Sequence, residues 1–164
     1  MRKVLFLSLV IFVFTLSASA QQFERIGISY KQVMDYLTNF FQMEKKTQVF
    51  GQDRYMGTTS DKQADLEVIG DKGNISSVTL SLRLSKDGKL AERNNTMMLR
   101  LLKNTVPNWK DSSNWANNTL EQITTASKNS RSIIHENKKI TMQFFRPLNM
   151  VLLIVEHKHG GVAK

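Results

Sequence analysis

Apolar and polar side chains alternate strictly from residue 78 to residue 84, within a segment that begins at residue 75. The apolar members are Val78, Leu80, Leu82 and Leu84, and the polar members between them are Thr79, Ser81 and Arg83. Because successive side chains of a strand point to opposite faces, this pattern predicts a half-buried β-strand with one face in water. A turn sequence at Gly70–Gly73 separates it from a shorter alternating run at 65–69, so the two runs predict a β-hairpin.

Three other segments have helical spacing. Ser29 followed by Gln32 predicts a capping box, and an apolar stripe after it predicts a helix from Tyr30 to Lys45. A second helix is predicted from Lys89 to Thr105, ending before Pro107 because the residue before proline is pushed out of helical space. A third begins near Asp111 or Ser113 and fades in the polar stretch 124–130.

The last third of the chain predicts a meander of three strands, over residues 132–136, 139–145 and 150–157. The final strand is apolar at every position from Met150 to Val155. Such a strand is typical of the interior of a sheet, covered on both faces or covered on one face with a partner on the other.

A short strand is also predicted over residues 54–58, so the predicted order is helix, three strands, two helices, three strands. Runs of strands separated by runs of helices favour an α+β domain with an antiparallel sheet and helices packed on one face. We assign this single domain to residues 21–157 and a flexible polar tail to residues 158–164. The two halves share a layout but no residue-level repeat.

Residues 1–20 resemble a cleaved secretory signal peptide. Arg2 and Lys3 supply the positive start, an uncharged apolar stretch of about 14 residues follows, and Ala18-Ser19-Ala20 gives the small-x-small cleavage pattern. The stretch is shorter than the roughly 20 residues that a bilayer-spanning helix needs, which disfavours the alternative of an uncleaved anchor. We therefore expect an exported protein of the periplasm or extracellular space that is not an integral membrane protein after cleavage.

The charge and the cysteine content limit the classes of partner that the protein could bind. The chain has no cysteine, which excludes a disulfide framework, and its formal net charge is +9. Removing the two basic residues of the signal leaves +9 − 2 = +7. The basic residues are scattered and are not interleaved with aromatic residues, so we expect no specific nucleic acid recognition. A binder of anionic membrane or polyanion stays open as an alternative.

Candidate catalytic chemistry is sparse. Zinc could be held by His135, His157 and His159 with Glu136 or Glu156, and Asp65 with Glu67 could serve a carboxylate hydrolase. A small metal- or carboxylate-dependent hydrolase is therefore the alternative function. No nucleophile motif or phosphate-binding loop is present in the sequence, and we expect neither enzymatic activity nor a cofactor.

Four residues are the best candidates for binding. Trp109 and Trp115 bracket the predicted junction of two helices and could anchor a partner, or could fix that corner to the core. Arg83 and Gln143 would lie with Thr79, Ser81 and Thr141 on a flat polar face if their strands adjoin. The sequence thus predicts an exported non-enzymatic interaction module that contacts a protein partner or itself.

Overall fold

A seven-stranded antiparallel sheet with helices against it forms the fold of the computed structural model, which describes residues 24–159. The predicted α+β class is confirmed. The predicted signal peptide, residues 1–20, and the end of the predicted tail, residues 160–164, lie outside the described residues.

Three helices, two short 3₁₀ turns and seven strands make up these residues. In chain order they are α1 (Tyr30–Met34), a 3₁₀ turn (Leu37–Asn39), β1 (Glu44–Val49), β2 (Gln52–Thr58), β3 (Ala64–Asp71), β4 (Asn74–Arg83), α2 (Gly88–Thr105), α3 (Ser112–Thr125), β5 (Ser130–His135), β6 (Lys138–Phe145), a 3₁₀ turn (Arg146–Leu148) and β7 (Met150–His157). None of the helices within this range is both long and apolar enough to cross a bilayer.

The first helix is shorter than the sequence predicts. Its capping box is present, because Gln32 N donates to Ser29 Oγ at 3.2 Å and Ser29 N donates to Gln32 Oε1 at 2.9 Å. The extension to Lys45 was wrong, since the backbone leaves helical geometry at Asp35 and Tyr36 has a φ of 62°. The apolar stripe continues through a 3₁₀ turn, and its last part is strand β1, a fourth strand in the first half.

The order of strands across the sheet is β1-β2-β3-β4-β7-β6-β5, with every pairing antiparallel. The chain's last strand, β7, therefore lies between β4 and β6. Leu80 of β4 is in register with Leu153 of β7, and Ile140 of β6 is in register with Val155. The C-terminal meander thus extends the sheet built by the first half.

The core lies on one face of the sheet. Alternate strand residues such as Leu66, Leu80, Ile140 and Leu153 are fully buried there, and they belong to one cluster with the apolar side of α2. The α2 members of that cluster are Met97, Met98, Leu101 and Leu102. Burial of such side chains drives folding at about 25 cal/mol per Å² of apolar area.

The loop between β2 and β3 is tied to α2 by an ion pair. Arg93 Nη1 donates to Asp61 Oδ2 at 2.6 Å, and Asp61 Oδ1 also accepts from Thr59 Oγ1 at 2.7 Å. The hydrogen bonds from Arg93 and then Thr59 lower the pKa of Asp61 from 3.8 to about 2. A carboxyl whose pKa is depressed on folding adds stability above its unfolded pKa and loses it as pH falls through the folded one.

We expect the free energy of unfolding of the Asp61→Asn variant to fall less steeply between pH 4 and pH 2 than that of the unmodified protein. The pair is partly exposed, so solvent screening limits its contribution at neutral pH to about 1 kcal/mol. Urea unfolding at pH 7, 4, 3 and 2 measures the effect. Asp111→Asn is the control, because the Asp111 side chain makes no capping bond to α3. An unchanged slope in Asp61→Asn would contradict the assignment.

Candidate functional site

The second face of the sheet bears no helix of the described residues. We call the outward side chains of β2–β4, β7, β6 and β5 on this side the open face. Its centre consists of three rows of residues in register across β4, β7 and β6. These rows are Thr79–Ile154–Thr141, Ser81–Leu152–Gln143 and Arg83–Met150–Phe145.

An apolar ridge runs along the middle of the open face. Met150, Leu152 and Ile154 form it from one side of β7 and are half-buried, whereas their neighbours on the other side of β7 lie in the core. Phe145 extends the ridge onto β6 with 43% of its surface exposed. Among residues 24–159 the helices therefore cover one face of β7 only, and a partner on the other face stays a prediction.

Hydroxyl and amide side chains border the ridge on both sides. Thr79 and Ser81 lie beside it on β4, and Thr141 and Gln143 lie beside it on β6. Ser132 on β5 shares a hydrogen bond of 2.8 Å with Thr141. An apolar centre with a polar rim is the usual composition of a protein–protein interface.

Most charges of the open face are engaged within it. Arg54 Nε donates to Glu67 Oε1 at 2.6 Å, and Lys139 Nζ donates to Glu156 Oε1 at 3.2 Å. Asp65 accepts from Thr58 Oγ1 at 2.6 Å.

Arg83 differs from these residues. It is exposed beside Met150, and its guanidinium makes no hydrogen bond or ion pair with any of residues 24–159.

The structure brings together two of the four predicted binding residues. Arg83 and Gln143 lie on the same face, two strand spacings and one row apart, a separation of about 12 Å. Thr79, Ser81 and Thr141 are on that face as predicted, but Leu152 and Ile154 lie between the two polar rows. The surface is therefore a polar border around an apolar ridge rather than a uniform polar face.

Trp109 and Trp115 lie on the other side of the sheet, where the helices pack. Trp109 is 9% exposed, its ring stacks on His135 at 5.4 Å between centroids, and it tilts against Trp115 at 5.3 Å. Trp115 is half-buried and packs against the core. This arrangement favours the structural alternative for Trp109, and a role of either tryptophan in partner binding stays a prediction.

The three histidines that could hold zinc do not converge on one point. His135 is in register with Lys138 and Lys138 with His157, so a buried lysine lies between the two histidines. Within residues 24–159 no three His, Cys, Asp or Glu side chains are grouped to hold a metal ion.

Trp109 engages the His135 ring, and the His157 and His159 rings lie 5.4 Å apart. The carboxylates of Asp65 and Glu67 are held by Thr58 and Arg54.

The sequence contains a signal for the ridge, for which the sequence analysis left two explanations open. Every residue from Met150 to Val155 is apolar, although within residues 24–159 only one side of β7 has helices to contact. Phe144 and Phe145 repeat the same signal on β6, with Phe144 at 7% exposure in the core and Phe145 on the open face.

Comparison with known proteins adds no further evidence on function. No family model matches the chain, and no curated protein or solved structure matches it either.

Proposed function

We propose that this protein is an exported, non-enzymatic binding module that holds an acidic protein partner on its open face. The single observation that carries the proposal is the apolar ridge of β7, which lies beside Arg83 and is covered by no helix of residues 24–159. Exposed apolar area rimmed by polar side chains marks interaction sites in soluble proteins. The place of action follows from the predicted export signal in residues 1–20.

The size of the face fits a protein partner. Its six strands, about 4.8 Å apart and each about eight residues long, give a surface of roughly 750 Å². A standard protein–protein interface takes about 800 Å² from each partner. An interface of that size, with half-buried rather than fully exposed apolar residues, is typical of complexes whose members also exist apart.

Charge complementarity supports an acidic partner. Arg83 is the charged residue of the three central rows, and no acidic group among residues 24–159 neutralises it. The net charge expected after removal of the signal, +9 − 2 = +7, also attracts an acidic protein over distances of about a Debye length. A partner that presents apolar side chains to β7 and a carboxylate to Arg83 would satisfy both features.

Photo-crosslinking tests the proposal. A photoreactive amino acid is placed at Leu152 or Gln143 on the open face, and at Glu121 on the exposed surface of α3 as the matched control. After irradiation in the cells that produce the protein, we expect one discrete adduct from positions 152 and 143 and none from 121. Mass spectrometry then identifies the partner and its charge.

Other outcomes separate the alternatives. An adduct of twice the chain's mass would show that the partner is a second copy of this protein and not a different protein. Adducts formed equally from all three positions, or capture of lipid or polysaccharide instead of protein, would refute the proposed surface and favour the basic surface as a binder of anionic material.

A further inference from the structure

Strand β5 forms one edge of the sheet, and no strand of residues 24–159 pairs with its outer side. On its inner side, Phe144 N of β6 donates to the Asn129 carbonyl at 2.7 Å. Because hydrogen-bonded and non-hydrogen-bonded pairs alternate along an antiparallel ladder, this bond determines which residues of β5 direct their backbone N–H and C=O groups away from β6. These outward residues are Ser130, Ser132 and Ile134. An open strand edge is a template for pairing with another strand.

The opposite edge of the sheet, β1, has features that prevent such pairing. Lys45 and Lys46 are adjacent and exposed on it, and its ladder to β2 is irregular between Lys46 and Val49. Lysines and bulges protect an edge, because a second strand would have to desolvate the charge and follow the bend. Strand β5 contains no lysine, its ladder to β6 is regular, and the Ile134 side chain is 60% exposed. The two edges therefore differ, and β5 is the one open to a strand.

We propose that the β5 edge pairs with the β5 edge of a second copy of this protein, antiparallel and centred on Ser132. In this register Ser132 lies opposite Ser132 of the second copy, and Ser130 lies opposite Ile134 on either side of that centre. All three outward residues of each strand then have a partner, and each pair exchanges two backbone hydrogen bonds. A register shifted by two residues in either direction leaves one outward residue of each strand without a strand partner.

Charge complementarity favours the same register. It places Arg131 opposite Ile133 of the second copy, whereas a shift by two residues would place two Arg131 side chains opposite each other or leave Ser130 unpaired. It also places Lys128, just before β5, opposite Glu136, just after β5, at both ends of the pairing. Lys128 is exposed, and the Glu136 side chain keeps 42% exposure although Lys138 Nζ donates to it. Opposite charges therefore flank the paired strands.

The pairing joins the two sheets into one continuous sheet. Antiparallel strands of two identical chains are related by a two-fold axis perpendicular to the sheet, so the same residues contribute from both copies. Both open faces then lie on the same side and remain accessible. Dimerisation through β5 is therefore compatible with a partner on the open face and does not depend on one.

Sedimentation equilibrium of the purified protein tests the dimer. We expect a monomer–dimer equilibrium with a dissociation constant in the micromolar range. Ser132→Pro removes an outward N–H and should raise this constant at least tenfold, and proline is tolerated where the N–H of an edge strand faces solvent. Ser132→Ala is the matched control, because both variants lose the hydrogen bond to Thr141 and only the alanine variant keeps the N–H. Circular dichroism shows whether each variant is folded.

Single cysteines determine the register without a proline, since the chain has no cysteine of its own. Ser132→Cys should form a disulfide between the two copies, because opposite residues of a hydrogen-bonded pair have Cα atoms about 5.5 Å apart, within the range that a disulfide spans. Ser130→Cys and Ile134→Cys should not cross-link alone, because each lies about 13 Å along the strands from its own copy. A mixture of these two variants should cross-link.

A purified protein that is still monomeric at about 500 μM would overturn the proposal. Equal dimerisation of folded Ser132→Pro and Ser132→Ala would also overturn it, as would cross-linking of Ser130→Cys or Ile134→Cys alone in preference to Ser132→Cys.

Discussion

Replacing Trp109 with alanine is expected to lower the free energy of unfolding by about 3–5 kcal/mol. The Trp109 ring belongs to the core cluster, and it fills the corner where α2 ends between the rings of His135 and Trp115. Truncation would leave a cavity that those two rings cannot fill without leaving their own contacts. Urea unfolding monitored by circular dichroism measures the loss.

Two substitutions show whether the effect comes from the ring itself. Trp109→Phe keeps an aromatic ring in the stack and should lose less stability than Trp109→Ala, whereas Lys110→Ala, at an exposed position next to it, should change stability by no more than about 0.5 kcal/mol. If Trp109→Ala keeps full stability and loses only partner binding, the tryptophan is an anchor for the partner and our account of the corner is wrong.

Substitution of Leu152 with aspartate is expected to weaken partner binding by about 30-fold or more while leaving the domain folded. This factor corresponds to the loss of about 2 kcal/mol that defines a central interface residue. Leu152 lies in the middle of the ridge, and a carboxylate there would place a like charge against the acidic partner as well as remove the apolar contact. The yield of the adduct from a photoreactive residue at position 143 measures binding.

The next residue along the same strand provides the contrast. Leu153 is fully buried on the core side of β7, so Leu153→Asp should unfold the protein because its charge has no partner in the core. Glu121→Arg, on the exposed surface of α3, should leave both stability and adduct yield unchanged. Equal unfolding by Leu152→Asp and Leu153→Asp would contradict the assignment of one free and one covered face.

The sequence predicted the strands and helices whose periodicity is unbroken. The alternation around Leu80 fits only a strand, and the apolar spacing of α2 fits only a helix. Both elements lie within one or two residues of their predicted ends. The error at residues 35–45 arose because an apolar stripe at helical spacing also fits a short helix followed by a turn. The helix ends because the backbone of Tyr36 is left-handed, and nothing in the types of the residues around it predicts this conformation.

The sequence predicted the polar residues of the candidate site but not the apolar ridge between them. Alternation placed Arg83 and Gln143 on outward faces of their strands, but the order of strands decides which neighbours they have. Strand β7 pairs with β4, which is distant from it in the sequence, as well as with β6. These two pairings place Leu152 between Ser81 and Gln143. Periodicity is a local property, so the ridge became identifiable only when the partners of β7 were known.

Protection of a single cysteine tests the central claim most directly. The chain has no cysteine, so Leu152→Cys and the control Glu121→Cys each introduce one thiol. The rate of maleimide labelling is compared between the purified protein and the same protein in the cells that produce it. We predict that the thiol at 152 reacts at least tenfold more slowly in the cells, whereas the thiol at 121 reacts equally in both. Equal labelling of the thiol at 152 in both settings would show that nothing covers the open face, and would contradict the account.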